Sequence, residues 1–184
     1  WYSKNLRSEV GRQAMAYVRG RALSDDMLVQ FGIGYAPDSW EMTRNWGRQL
    51  GFSLEDMLSA GILTVKAEGA PATSAYDRFR NRLMFPIWNE QGRIVAFSGR
   101  TLAEDQGAKY VNSPETPIFE KSKILYGLNF SRQGIKAEGA AVVCEGQIDV
   151  IACHEAGQTN AVAPQGTAFT ERQAWLLKRY TKNL

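Results

Sequence analysis

Cysteine is scarce in this sequence: Cys144 and Cys153 are the only two in 184 residues, and they form no C-x-x-C pair. The single histidine, His154, has no companion at zinc-ligand spacing, so a zinc finger or ribbon is excluded within these residues. Both cysteines read as small core residues, and His154 as a partly exposed helix residue. No apolar run approaches the ~18–20 residues a membrane helix needs, and no charged-then-apolar leader opens the chain, which begins Trp1-Tyr2 without Met. These absences predict a reducing, cytoplasmic setting with no membrane partner, and the missing Met reads as the mark of a piece excised from a longer chain. Internal repeats and low-complexity tracts are absent as well.

What is present is an ordinary globular composition, 44% hydrophobic and 22% charged, long enough for one domain or two small lobes. A net charge of +3 and a pI of about 8.9 are compatible with a polyanionic partner without demonstrating one.

The chain is organised around AVVCEGQIDVIACHEAG, Ala141–Gly157. Ala141 to Cys144 reads as a buried parallel-sheet strand, and a helical pattern begins within two residues of Glu145-Gly146. Glu145 then sits at the carboxyl tip of a strand and Asp149 near the first turn of a helix, where open α/β sheets bind ligands. Two chemistries meet this pattern: hard oxygen ligands for Mg²⁺ or general acid/base groups on one side, a solvated turn with a favourable helix-dipole contact on the other.

Upstream, Ser3–Gly20 reads as one helix, Ser24 caps a second that stops at Phe31-Gly32, and Gly34–Pro37 reads as a turn. Trp40–Leu50 is a further helix. Ser53 with Asp56 opens Leu54–Ala60, ended by Gly61. Thr64–Ala75 reads as a loose connection. Arg82–Trp88 and Arg93–Gly99 are strand-like, joined by the hairpin turn Asn89-Glu90-Gln91-Gly92. Arg78, Arg80 and Arg82 recur at every second position, followed by Arg93 and Arg100. On a strand that period makes a one-faced stripe, suited equally to successive phosphates and to guarding a solvated sheet edge. Lys109–Pro114 reads as a loop interleaving Lys, Tyr and Asn, a mixture that pairs with phosphate and stacks on bases. Beyond the organising stretch, Asn160–Pro164 is a second strand, Gln165-Gly166-Thr167 a tight loop, and Thr170 with Gln173 a capping box for Glu171–Tyr180. The sum is a βαβ unit with a right-handed crossover.

The runs YDRFRNRLMFPIWNEQGRIVAFSGR, KYVNSPETPIFEKSKILYGL and VVCEGQIDVIACHEAG, in that order and preceded by RALSDDMLVQFGIGYAPDSW, resemble the RNA-polymerase domain of bacterial DnaG-type primases over nearly the whole chain. The resemblance implies an α/β core: an N-terminal mixed α/β lobe over 1–132 and, over 133–184, the first part of a Toprim subdomain with parallel strands, truncated before the Asp-x-Asp strand. It implies short RNA primers made from ribonucleoside triphosphates on a single-stranded DNA template by Mg²⁺- or Mn²⁺-dependent nucleotidyl transfer at the replication fork in the nucleoid. The product is an RNA–DNA hybrid. Carried over by motif, Glu145 is a metal ligand or proton carrier and Asp149 supports that site. Arg78, Arg80, Arg100, Lys109, Asn112 and Lys121 match the basic ridge for template and nucleotide phosphates, and Arg21 matches a basic position near the template groove. Ala22, beside it, is commonly Gly in the family. The family's zinc-binding domain and its helicase-docking C-terminal domain lie outside these residues, so the expectation is a segment that binds single-stranded DNA and does not prime alone. Rival readings are another Toprim enzyme, topoisomerase- or nuclease-like, and a non-catalytic single-strand-binding replisome module.

Overall fold

The structure, a computed structural model, describes residues 1–103, 107–166 and 168–184. Thr167 of the expected tight loop lies outside the described residues.

Helices α1 (Tyr2–Leu6) and α2 (Arg12–Gly20) are separated by a 3₁₀ turn at Glu9–Gly11, where the sequence predicts one continuous helix. The break has a local cause. The Ser8 hydroxyl donates to the Asn5 carbonyl at 2.8 Å, and Gly11 packs so closely on that turn that a Cβ would lie 2.3 Å from the Asn5 carbonyl oxygen. Helix α3 (Asp25–Gln30) is capped by Ser24, whose hydroxyl accepts from the Met27 N–H, with Asp25 and Asp26 in the dipole-favoured first turn. Gly34–Ala36, expected as a turn, is strand β1: it pairs antiparallel with β4 (Arg82–Trp88), and its three residues are all buried. Helices α4 (Met42–Gln49) and α5 (Leu54–Ser59) follow, the second capped by Ser53 as expected. Within the expected loose connection, Thr64 already belongs to β2 (Leu63–Thr64), which pairs antiparallel with β3 (Tyr76–Asp77).

Strand β4 turns into β5 (Ile94–Thr101) through Asn89–Gly92, with Gly92 at φ +77° and the Asn89 side-chain carbonyl accepting from the Gln91 and Arg93 N–H groups. Strand β6 (Tyr110–Asn112) pairs antiparallel with β5 and completes a four-stranded sheet in the order β1-β4-β5-β6. The Lys109–Pro114 segment is therefore part strand, not the expected loop: Asn112 faces Ser98 and Tyr110 faces Arg100 across the ladder.

Helix α6 (Leu128–Glu138), unread in the sequence, starts at the left-handed Gly127 and ends at the left-handed Gly139. Strand β7 (Val142–Val143), helix α7 (Gln147–Glu155), strand β8 (Ala161–Val162) and helix α8 (Glu171–Lys178) form the expected βαβα run, with β7 parallel to β8. The capping box of Thr170 and Gln173 is formed in both directions. One expectation fails here. The organising strand is two residues long, and Val142 and Val143 are more than one-third exposed. Among the described residues β7 and β8 ladder only with each other, extended by isolated bridges between Ala140 and Asn183 and between Tyr126 and Ala163.

The chain divides into two compact units. The first comprises 1–17, 33–85 and 96–116; Tyr2, Ala36, Phe79 and Met84 form one of its cores and Met57, Leu63 and Ala75 another. The second comprises 18–32, 86–95 and 117–184, with Leu125, Leu128, Ile135, Ala141, Val162 and Leu177 at its centre. Fully buried Phe31 packs on Tyr126, Phe130 and His154 in the same unit. Each large apolar side chain so buried contributes about 1.5–3 kcal/mol. Among the described residues no helix is long and apolar enough to cross a membrane.

Candidate nucleic-acid interface and carboxylate site

In the first unit, Arg78, Arg80 and Arg82 line one cavity of about 300 Å³ together with Asp38, Trp40 and Val111. They do not reach it as alternate residues of one strand. Arg78 and Arg80 lie in a loop after β3, and Asn81 adopts a left-handed conformation (φ +49°) before β4 begins at Arg82. Asn pays less than other non-glycine residues for that conformation. The loop is held by hydrogen bonds from the Arg78 N–H to the Ile62 carbonyl (3.0 Å) and from the Asn81 N–H to the Pro37 carbonyl (3.2 Å).

The three arginines have different duties. Arg82 is buried, and its Nη1 donates to the Gly99 (3.0 Å) and Ala108 (3.1 Å) carbonyls, so it braces the sheet. Burial, and then the neighbouring charge of Arg80, depress its pKa. Arg78 is half-buried, which also lowers its pKa, and its Nε is a buried donor with no protein acceptor. Arg80 donates to the Asp77 carbonyl and lies over Trp40, its guanidinium carbon 4.0 Å from the ring centroid. Among the described residues no carboxylate makes an ion pair with Arg78, Arg80 or Arg82. Guanidinium groups stay protonated despite such shifts, so three arginines against the one carboxylate of Asp38 give the cavity a net positive charge that suits an oxyanion.

The other expected residues are not among those lining that cavity. Arg100 stacks on Tyr17 at 4.5 Å and donates to the Thr101 carbonyl. Lys109 is exposed, its carbonyl accepting from the Thr101 N–H. Asn112 follows Val111 on β6 and by strand alternation takes the opposite face from that cavity-lining residue. Lys121 and Arg21 belong to the second unit. Lys121 lies in a 3₁₀ turn whose carbonyls at Lys121 and Ile124 accept from Gln173 Nε2. Arg21 is exposed at the end of α2, next to Ala22 at φ +56°.

Glu145 and Asp149 flank the β7–α7 junction, both exposed. Asp149 occupies the first turn of α7 and accepts from the Gly146 N–H at 3.1 Å, which leaves its other oxygen and both of Glu145 for a ligand. Hard oxygen donors suit Mg²⁺, which takes one or two carboxylates and completes its shell with waters and substrate phosphates, so these residues fit such an ion. Among the described residues no group of three or more His, Cys, Asp or Glu converges to enclose one. The cysteines are half-buried, not core, and their sulfurs lie 3.8 Å apart. Burial, the Cys153 thiol and the charge of Asp149, in that order, push the Cys144 thiol up to about 12. His154 is buried, not partly exposed, with Nε2 3.0 Å from the Ser131 hydroxyl.

Sequence reasoning missed Trp40 and Tyr76, which enclose Arg80, and Asp77, whose carboxylate accepts from the Thr43 (2.7 Å) and Arg44 (2.9 Å) N–H groups at the start of α4. No spacing rule links position 40 to position 80. The Asp77 cap is likewise supplied from a distant segment.

The family profile described as "DNA primase catalytic core, N-terminal domain" matches residues 1–132, and "Toprim-like" matches 142–184. The DNA primase of Deinococcus radiodurans is 46% identical over 174 residues, covering 95% of this chain and 30% of that protein; the chain thus spans less than a third of that relative's length. The RNA polymerase domain of Mycobacterium tuberculosis primase DnaG superposes with a TM-score of 0.89 at 34% identity, over 99% of this chain and 58% of that one. A DnaG primase catalytic domain bound to ssDNA superposes with a TM-score of 0.85 at 38% identity, over 99% and 55%. With a profile matched across most of its length, this chain belongs to the family of DnaG-type DNA primase catalytic cores.

Proposed function

We propose that this chain serves primer synthesis: nucleotidyl transfer from ribonucleoside triphosphates on a single-stranded DNA template, leaving an RNA–DNA hybrid. The observation that carries the reading is the cavity in which Arg78 and Arg80 present guanidinium groups without a carboxylate partner. Arg78 offers a buried N–H donor and Arg80 a guanidinium fixed over an aromatic ring, both suited to phosphate oxygens. Arg100, Lys109, Asn112, Lys121 and Arg21 are proposed as further contacts to template and nucleotide phosphates. Residues 1–132 are read as the N-terminal lobe and 133–184 as the first part of a Toprim subdomain.

Glu145 and Asp149 would hold a divalent cation, Mg²⁺ or Mn²⁺. Such an ion, when bound, neutralises triphosphate charge and lowers the pKa of the attacking 3′-hydroxyl. The chain's own contribution is placement. Arginines hold phosphates in line, and the Gly146 N–H fixes Asp149 at the helix start, where the dipole favours its charge. Among the described residues no third acidic group joins Glu145 and Asp149, and on this reading the 184 residues alone bind single-stranded DNA and do not prime. A helicase partner and a zinc-binding domain belong to the whole protein on this reading.

Fluorescence anisotropy of a labelled single-stranded DNA across a salt series tests it. Binding weakens with salt, by roughly 0.7 log units per log unit of salt for each phosphate neutralised. Changing Arg78, Arg80 and Lys109 to Ala reduces that slope by roughly 2. No binding at low salt, or an unchanged slope, overturns the assignment.

A further inference from the structure

Trp40 is 59% exposed, so packing into a core does not account for its position. Its ring lies beneath Arg80, and Tyr76, tilted 55° against it at 5.1 Å, lies 5.4 Å from the same guanidinium carbon. The backbone closes this group into a ring of contacts. The Asp77 N–H donates to the Trp40 carbonyl at 2.8 Å, and the Asp77 carbonyl accepts from Arg80. A free arginine loses several rotatable bonds when it grips a phosphate, whereas one already laid on an indole loses few.

We propose that Trp40, assisted by Tyr76, is a positioning residue that pre-orients Arg80 for the phosphate oxygens of a ribonucleoside triphosphate. The proposal rests on the phosphate-holding role given to Arg80 above. Trp40 acts through Arg80, so its removal weakens nucleotide capture and leaves the chemical step nearly intact. Phenylalanine, which keeps a ring face for the guanidinium, restores most of the effect.

The test uses the full-length primase carrying Trp40→Leu, Trp40→Phe, Tyr76→Leu or Arg80→Ala, and the double variant Trp40→Leu/Arg80→Ala. Primer synthesis is followed against ribonucleotide concentration, and thermal midpoints are recorded for each protein. Trp40→Leu raises KM about 3- to 10-fold with kcat within about 2-fold, and Trp40→Phe stays within about 2-fold of the parent in both. Tyr76→Leu moves KM in the same direction by less, which keeps the test open if Trp40→Leu lowers the thermal midpoint. The double variant is no worse than Arg80→Ala alone. If Arg80→Ala raises KM and the Trp40 and Tyr76 variants do not, or if their effects multiply with that of Arg80→Ala, the positioning role is overturned and the phosphate role stands. If Arg80→Ala leaves KM unchanged, both fall.

Discussion

A hydroxyl has one proton, and Ser131 has three claims on it: the Ala161 carbonyl at 2.6 Å, the Gly127 carbonyl at 3.0 Å and His154 Nε2 at 3.0 Å. The shortest contact takes the proton, so Nε2 donates to the Ser131 oxygen. Burial holds the His154 pKa below the usual 6.5, partly offset by the Ala161 carbonyl. The unfolded chain therefore binds a proton more readily than the folded one. Stability from this group is complete above about pH 6.5 and is lost as pH falls through that value toward the lower folded pKa, at no more than about 1.4 kcal/mol per pH unit. Urea unfolding at pH 7.5 and pH 5 shows that loss, and His154→Gln, which keeps a donor without titrating, flattens it. Ala22 offers a second residue-scale test. At φ +56° it sits where L-residues lose about 1–2 kcal/mol, so Ala22→Gly, after the extra entropy of a glycine in the unfolded chain, stabilises by about 0.5 kcal/mol in the same urea assay.

At the scale of elements, helix α4 depends on a residue outside itself. Its N-cap Glu41 makes no side-chain cap, and the carboxylate of Asp77, from β3, receives two of its orphan N–H groups. Asp77→Ala strands buried donors and costs about 2–3 kcal/mol by urea unfolding, while Asp77→Asn, which keeps one acceptor, costs about half as much. Caps encoded within a few residues, at Ser24, Ser53 and Thr170, were legible in the sequence. So was the hairpin at Asn89–Gly92, because left-handed glycines announce such turns. Strand β1 and helix α6 were not. The first looks like a turn by composition and becomes a strand only through its partner β4, and the second is bounded by glycines whose conformation no local pattern fixes. The arginine repeat was legible as a cluster and misread as a strand, since Asn81 breaks the alternation while the cavity still gathers the side chains.

Over the whole molecule the charge balance is only +3, too small to attract a polyanion by itself, so binding must come from where the charge is concentrated. In the DNA titration, removing the exposed charge of Lys66 therefore changes the salt slope by less than about 0.3, against the drop of roughly 2 for the triple variant. The placement of Glu145 just after a strand and of Asp149 in the first turn of a helix was legible locally, because it needs no distant help. The basic cavity was legible only in part, because Trp40 reaches it from a segment almost forty positions away.

Asp77 has a further consequence, in the history open to such a sequence. Its side chain anchors a helix, and its backbone links Trp40 to Arg80. Drift at this position is thus filtered by folding through the helix cap, whereas the backbone links survive any change of side chain that keeps the N–H. Among the residues lining the cavity, Asp38 is exposed and makes no ion pair with the arginines. On the proposed reading, divergence toward a different anion is free to begin there, at a position whose replacement leaves the helix cap intact.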